Sequence, residues 1–193
     1  LASIGLLAVR MITKAEVRLQ STTLKTGGAV TAGGHTFLGG CLLLGLFWAH
    51  SAAVQVHERR AELAFSKTES LRNAWAPNRA PNLNVADKAT LARLSEAASF
   101  LDQWALIPSV HNAQRLGWAR LLTGDEEGYV TALRQAIEIE PTRIDSRADL
   151  SDFLIYAMGD LEGAEAVLRE GLGLVPEESG IELLILSLGS KEA

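Results

Sequence analysis

The stretch LGWARLLTGDEEGYVTALRQAIEIEP, residues 116–141, decides the fold of this chain. Its first half repeats apolar or small residues at helical spacing and ends near Gly124, where a glycine suits the positive φ found after a helix. Its second half opens on acidic residues, which favour the positive end of a helix dipole, and ends at Pro141, which cannot continue a helix. The stretch therefore predicts two helices joined by a short turn.

The same layout recurs 35 residues further along the chain, where Gly159 stands in the place of Gly124. A period near 34 residues, built from a helix, a turn and a second helix, is typical of solenoid proteins. We therefore expect two repeats and a capping helix, at 110–143, 145–178 and 179–189.

These residues resemble the tetratricopeptide repeat. The segment 116–119 (LGWA) is similar to the first-helix motif of that family, and 136–141 (AIEIEP) is similar to the end of its second helix. The sequence departs from the family pattern at Tyr129, where a small residue is usual, and at 151–152 (SD), where Leu-Gly is usual. The resemblance implies an all-α chain in which residues 85–193 form a short solenoid of helical hairpins.

The resemblance also implies a binding surface. In arrays of this family the first helices line a concave groove, which suits an extended peptide or another helix. By register, eight residues face that groove: His111, Gln114, Trp118, Leu121, Ser146, Asp149, Phe153 and Tyr156. The alternative is that Trp118 and Phe153 simply pack between repeats. Gln114 and Asp149 lack the positive charge with which some family members hold a C-terminal carboxylate, so that ligand class is rejected.

Residues 52–84 lie between the repeats and the apolar part of the chain. They begin as a charged helix and end in a loop rich in proline and asparagine, a composition typical of turns. After them, Leu91, Leu94 and Leu101 recur at helical spacing. This pattern predicts an amphipathic helix over 87–105, with Asp87 placed to cap its start.

An apolar segment precedes this linker. No Lys, Arg, Asp or Glu occurs in the 32 residues between Lys25 and Glu58. Because about 20 apolar residues in a helix cross a bilayer core, we expect a transmembrane helix over 27–51. Two alternatives stay open. One is a cleaved signal sequence with its exit at 49–51 (AHS), and the other is a lipoprotein signal in which 38–41 (LGGC) resembles a lipobox.

Paired glycines recur every six residues within this segment, at 27–28, 33–34 and 39–40. Gly28 with Ala32, and Ala29 with Gly33, have the spacing of small residues through which membrane helices approach closely. Placed within the helix, these pairs would favour its dimerisation.

Basic residues flank the predicted span on both sides. Those before it are Arg10, Lys14, Arg18 and Lys25, and those after it are Arg59, Arg60 and Lys67. Because orientation follows Lys and Arg, the small excess before the span favours a cytoplasmic loop at 10–26. Residues 1–9 are apolar and are interpreted as the end of an earlier membrane helix or as a surface helix. The repeat domain is then extracytoplasmic, in a bacterial inner membrane.

The charge of the chain is unevenly distributed. The whole chain carries a net charge of −5, but residues 1–120 carry +6 and residues 121–193 carry −11. An acidic half repels phosphates and argues against nucleic-acid binding. The histidines lack the spacing of a zinc-protease helix, and Cys41 lies in the apolar run, where a thiol is inert. We therefore expect no catalytic residue, no metal and no cofactor within this chain.

Three functions fit this layout. The leading hypothesis is a membrane-anchored repeat scaffold that binds another protein or peptide through its groove and the membrane through residues 27–51. A second is the C-terminal region of a polytopic bacterial glycan ligase or polymerase. The layout resembles that region of O-antigen ligase-type and protein O-oligosaccharyltransferase enzymes, whose catalytic residues would then lie upstream. A third is a secretion or pilus assembly factor with one anchor and a periplasmic repeat domain.

Overall fold

The computed structural model describes residues 9–11, 13–76, 79 and 81–174. The chain divides into two compact units, one up to Ala53 and one from Val54 onward. Helix α1, Ala32–Ser66, supplies residues to both units. The predicted capping helix at 179–189 lies outside the described residues, as does most of the apolar segment at 1–9.

The first unit contains a small antiparallel sheet in the order β1-β2-β3. Its strands are β1, Val17–Leu19, β2, Thr22–Thr26, and β3, Ala29–Val30. Gly27 and Gly28 join β2 to β3 with φ of +57° and +85°, and a tight hairpin turn of type I′ requires positive φ at both central residues. The sequence predicts a basic loop over 10–26 and a transmembrane helix from residue 27, so this sheet corrects both predictions.

The sheet packs its apolar face within the first unit. Met11, Val17 and Leu24 are buried there, with Val30 and Phe37 against them. The chain passes so close to β2 at the start of α1 that a side chain on Gly34 would collide with the carbonyl oxygen of Leu24. Glycine therefore serves a close backbone approach at this position.

Helix α1 begins at Ala32, five residues after the predicted start of the span. Gly28 and Ala29 lie before the helix, so the pairs Gly28/Ala32 and Ala29/Gly33 cannot form one face of it. That part of the glycine interpretation is wrong, because the residues turn a hairpin instead. The helix continues into the charged sequence as far as Ser66, and the short helix α2, Glu69–Ala74, follows it.

The apolar half of α1 is exposed around its circumference. Leu42, Leu43, Leu46, Phe47 and Trp48 each have more than half of their surface accessible. By length and composition α1 could cross a membrane, and no residue in its most apolar 18-residue window is buried within the protein. Together with the helices described next, it confirms a mostly helical chain with one long apolar helix near its N-terminus.

Up to Leu174, where the described residues end, the second unit continues with five helices. They are α3, Val85–Trp104, α4, Val110–Leu122, α5, Glu126–Ile139, α6, Ile144–Phe153, and α7, Leu161–Leu174. A π-helical turn, Leu154–Met158, extends α6. Each helix from α3 to α6 packs against the next one along the chain. Ala61 and Ala64, at the end of α1, pack with Leu94 of α3.

The turns between these helices follow the sequence signals. Gly124 and Gly159 have φ of +88° and +68°, which confirms their predicted role after a helix. The Asp125 carboxylate accepts a hydrogen bond from the Gly128 N–H at 2.8 Å and caps α5. Helix α3 begins earlier than predicted because Asn84, three residues before Asp87, is its N-cap. Asp87 accepts from the Asn84 N–H in return, which completes a capping box.

Small residues lie where helices of the second unit approach closely. A Cβ on Gly117 of α4 would lie 3.2 Å from both Ala132 Cβ and Tyr129 Cδ2 of α5. Ala136 and Ala164 have no exposed surface. The core of this unit is completed around Leu133 and Leu150, which are fully buried.

One buried charge connects α6 to α7. The Arg147 side chain is 1% exposed, and its guanidinium donates to the Val167 carbonyl oxygen at 3.2 Å and forms an ion pair with Glu170 at 3.4 Å. A second donor, Nε, reaches the Pro141 carbonyl oxygen at 3.3 Å. These contacts satisfy most of the guanidinium, which would otherwise be costly to bury.

Candidate functional site

Four of the eight predicted groove residues meet at one open cavity of about 380 Å³. We call this cavity the aromatic pocket. It is lined by Trp75, Trp118, Tyr129, Asp149, Asp152, Phe153 and Tyr156. Five of these seven side chains are aromatic and two are carboxylates, so the cavity combines apolar walls with negative charge.

Five segments of the chain supply these residues. Trp118 comes from α4 and Tyr129 from α5, while Asp149, Asp152 and Phe153 lie on one face of α6 at helical spacing. Two further residues complete the lining: Tyr156 on the π-helical turn, and Trp75, which directly follows α2. Because packed helices hold most of these positions, the backbone fixes most of the pocket.

The aromatic rings of the pocket contact one another. The Tyr129 and Phe153 rings meet edge to face with centroids 4.9 Å apart. Trp118 lies 5.6 Å from Tyr129, and Trp75 lies 5.8 Å from Phe153, both as ring centroids. These separations are those of favourable aromatic pairs, so the rings form one continuous wall.

The two carboxylates give the pocket unusual electrostatics. Burial, and then the nearby charges of Asp145 and Asp152, raise the pKa of Asp149 from 3.8 to about 6. Burial also raises the pKa of Asp152. Burial and the charges of Asp149 and Asp152 raise the pKa of the Tyr129 hydroxyl well above its usual range.

No ion pair between described residues includes Asp149 or Asp152. The Arg72 guanidinium lies near the rings, with its Cζ 4.1 Å from the Phe65 ring centroid and 5.9 Å from that of Trp118. The pocket therefore has negative charge that the described residues do not pair with a cation.

The other four predicted groove residues do not line the pocket. Leu121 is 2% exposed and belongs to the core cluster, and it does not line the pocket. Ser146 is fully buried and accepts a hydrogen bond from the Gln114 amide at 3.3 Å, so this pair holds α4 to α6. His111 is exposed at the start of α4.

Trp118 and Phe153 also contact the hydrophobic core. Phe153 is 3% exposed and sits in the core cluster, against which Trp118 is partly buried. Both side chains therefore pack between helices and also line the aromatic pocket.

Sequence reasoning missed three residues of the pocket, which are Trp75, Tyr129 and Asp152. Two of them carried a signal, because Tyr129 and Asp152 are positions at which the sequence departs from the repeat pattern. Trp75 carried none, because it lies in a linker whose path between helices the sequence does not specify.

A second cavity, of about 370 Å³, lies between the charged end of α1 and α3. Its lining includes Arg60, Lys67 and Arg93, with Glu96 opposing their charge. Near it, the His57 ring stacks on Phe100 with centroids 3.8 Å apart. Within the described ranges, no three His, Cys, Asp or Glu side chains gather as metal ligands do.

The chain matches no known family model, and a comparison with curated proteins finds no match. The two features with the clearest chemistry are the exposed apolar helix α1 and the aromatic pocket.

Proposed function

We propose that this chain is a membrane-anchored scaffold of paired helices that binds another protein and performs no catalysis itself. The observation that carries the proposal is the aromatic pocket, in which Trp118, Asp149, Phe153 and Tyr156 meet as an open concave surface. Tryptophan and tyrosine contribute strongly to protein–protein affinity because each brings a large rigid surface and a polar group.

The anchor in this proposal is the apolar half of α1. Its outward-facing side chains include Leu42, Leu43 and Phe47. Exposure of these apolar groups to water is unfavourable, whereas their burial in a lipid core is favourable. The basic residues before α1 support a cytoplasmic N-terminal side, and hence an extracytoplasmic second unit in a bacterial inner membrane.

We further propose that α4 to α7 are tetratricopeptide-like units. The sequence motifs support this, as do the successive packing of the helices, the close contact at Gly117 and the left-handed glycines at 124 and 159. In this arrangement α4 and α6 are the first helices of two units, and the aromatic pocket lies on the face that they share.

The test is site-specific photo-cross-linking of the full chain in its native membrane. A photoreactive amino acid in place of Tyr156, at the pocket, should give one discrete adduct with a second protein. The matched control places it at Thr131, which is exposed on α5 and is not part of the pocket lining. Trp118→Ala, checked for helical content, should abolish the Tyr156 adduct. Identical adducts from both positions, or none from either, would contradict the proposal.

A further inference from the structure

We propose that the aromatic pocket binds the positively charged end of a lysine or arginine side chain presented by the partner protein. This inference rests on the proposed function, because it assigns the chemistry of the partner at the same site. It is carried by the lining itself, which combines five aromatic rings with two carboxylates around one open cavity.

The aromatic walls select for a cation. The faces of tryptophan, tyrosine and phenylalanine rings carry negative charge density and attract ammonium and guanidinium groups, with tryptophan the strongest. The Arg72 guanidinium over the Phe65 ring, at 4.1 Å, is an internal example in this protein. Trp75, Trp118 and Tyr156 place further rings around the cavity, which at about 380 Å³ admits the end of one long side chain.

The carboxylates select for the same ligand. Asp149 and Asp152 lie one turn apart on α6, both line the cavity, and neither is ion-paired with a described residue. Asp152 is exposed, whereas Asp149 is half-buried, and a partly desolvated carboxylate of this kind is costly until an opposite charge with hydrogen-bond donors reaches it. A bound cation would remove this cost, and an anion would be repelled.

Other ligand classes fit less well. A neutral apolar side chain would cover the rings and displace water from the half-buried Asp149 carboxylate without offering it a donor, which is unfavourable. A quaternary ammonium would satisfy the rings but has no N–H to donate to the carboxylates. Lysine and arginine offer both the charge and three or more N–H donors.

The binding experiment uses the full chain in detergent micelles and four capped peptides of the form acetyl-Ala-Ala-X-Ala-Ala-amide. X is lysine, arginine, norleucine or trimethyllysine, and the dissociation constants are measured by calorimetry and tryptophan fluorescence. We expect the lysine or arginine peptide to bind at least about tenfold more tightly than the norleucine peptide, as one desolvated ion pair or cation–π contact implies. The trimethyllysine peptide should bind more weakly than lysine.

Two variants test whether the carboxylates of the pocket bind the cationic side chain. Asp149→Asn and Asp152→Asn each keep the side-chain shape and should bring the lysine peptide towards the affinity of the norleucine peptide. Glu162→Gln, an exposed acid on α7 outside the pocket, is the matched control and should leave the affinity unchanged. Circular dichroism checks that all three variants keep their helical content.

Equal binding of the lysine, arginine and norleucine peptides, or binding of none of them, would overturn the inference. So would unchanged lysine affinity in both aspartate variants. If this charge preference is absent while the Tyr156 cross-link persists, only the ligand class is wrong. If the preference is present while the cross-link is absent, the pocket binds cations and the proposed protein partner is wrong.

Discussion

Asp149 is the residue through which pH should act on the second unit. Burial raises the pKa of its carboxyl to about 6, with Asp145 and Asp152 adding negative charge on the same helix and the Tyr129 hydroxyl facing it from α5. The folded chain therefore holds this proton more tightly than the unfolded chain, whose carboxyl has a pKa near 3.8. The contribution of Asp149 to the free energy of unfolding then falls as pH rises from about 4 to about 6, and is constant above that.

The effect of replacing Asp149 follows from this pH dependence of stability. Asp149→Asn should remove that loss, so its unfolding midpoint should gain on that of the wild-type chain as pH rises from 4 to 7. Thermal unfolding of the full chain in detergent, followed by circular dichroism at each pH, measures the difference. Glu162→Gln serves as an exposed control. Parallel pH profiles for the wild-type and Asp149→Asn chains would show that the carboxyl does not titrate with the fold.

Gly117 is a second residue whose size matters, because it sets the spacing of α4 and α5. Its missing Cβ would lie only 3.2 Å from Ala132 and Tyr129, so a larger side chain must push Tyr129 or the helix away. Gly117→Leu should destabilise the fold by about 1–3 kcal/mol, as overpacking usually does. Gly173→Leu is the matched control, because a Cβ there meets no described atom within 4 Å. Denaturant unfolding measures the loss of stability in each variant. Equal losses in Gly117→Leu and Gly173→Leu would contradict a close contact at Gly117.

Among the secondary-structure elements, the helices were easier to predict from the sequence than the sheet. Helices α4 and α5 carry long periodic patterns with a glycine turn and a proline stop, and local rules suffice for such segments. The strands β1 and β2 are short and place Arg18, Thr22 and Thr23 among few apolar residues, so they lack a clear alternation. The pair Gly27-Gly28 was the available hairpin signal, and it was interpreted as a helix-packing motif instead.

The lining of the aromatic pocket also contains residues with a local sequence signal and residues that depend on tertiary contacts. The register of the proposed repeat places Trp118, Asp149, Phe153 and Tyr156 on one face, and all four line the cavity. Trp75 could not be predicted, because a tertiary contact through a linker has no local signature. The register assigns Leu121 and Trp118 to the same face of α4, but Leu121 is buried in the core and only Trp118 lines the cavity. This difference depends on how neighbouring helices pack, which the register does not specify.

The N-cap of α5 should contribute measurably to the stability of the fold. Asp125 accepts a hydrogen bond from the Gly128 N–H at 2.8 Å, which satisfies one of the free donors at the helix start. Asp125→Ala should therefore lower the free energy of unfolding by about 1 kcal/mol. Glu127→Ala removes a charge from the same turn without that hydrogen bond, so it should cost less. Equal losses in chemical denaturation would mean that charge at this terminus matters and the cap does not.

At the scale of the whole molecule, the distribution of charge agrees with the proposed ligand. Residues 121–174, which the structure describes, include twelve acidic and four basic residues, a net charge of −8, and Asp149 and Asp152 of the aromatic pocket belong to them. A field of one sign around a binding site attracts a partner of opposite sign and raises its association rate. A basic partner would thus be drawn to this part of the chain and then held by the specific groups of the pocket.

Membrane anchoring is the prediction that concerns the chain as a whole. The full chain should stay in the membrane pellet after alkaline carbonate extraction, because the exposed apolar side chains of α1 would be buried in lipid. Leu43→Arg combined with Leu46→Arg should move it towards the soluble fraction, since an arginine near the centre of a span costs about 2.5–3.5 kcal/mol. Leu63→Arg is the matched control, because Leu63 is exposed on α1 within the charged part of the helix. Release of the wild-type chain by carbonate would exclude a membrane-spanning α1, and equal release of the control would show that the double variant acts through misfolding.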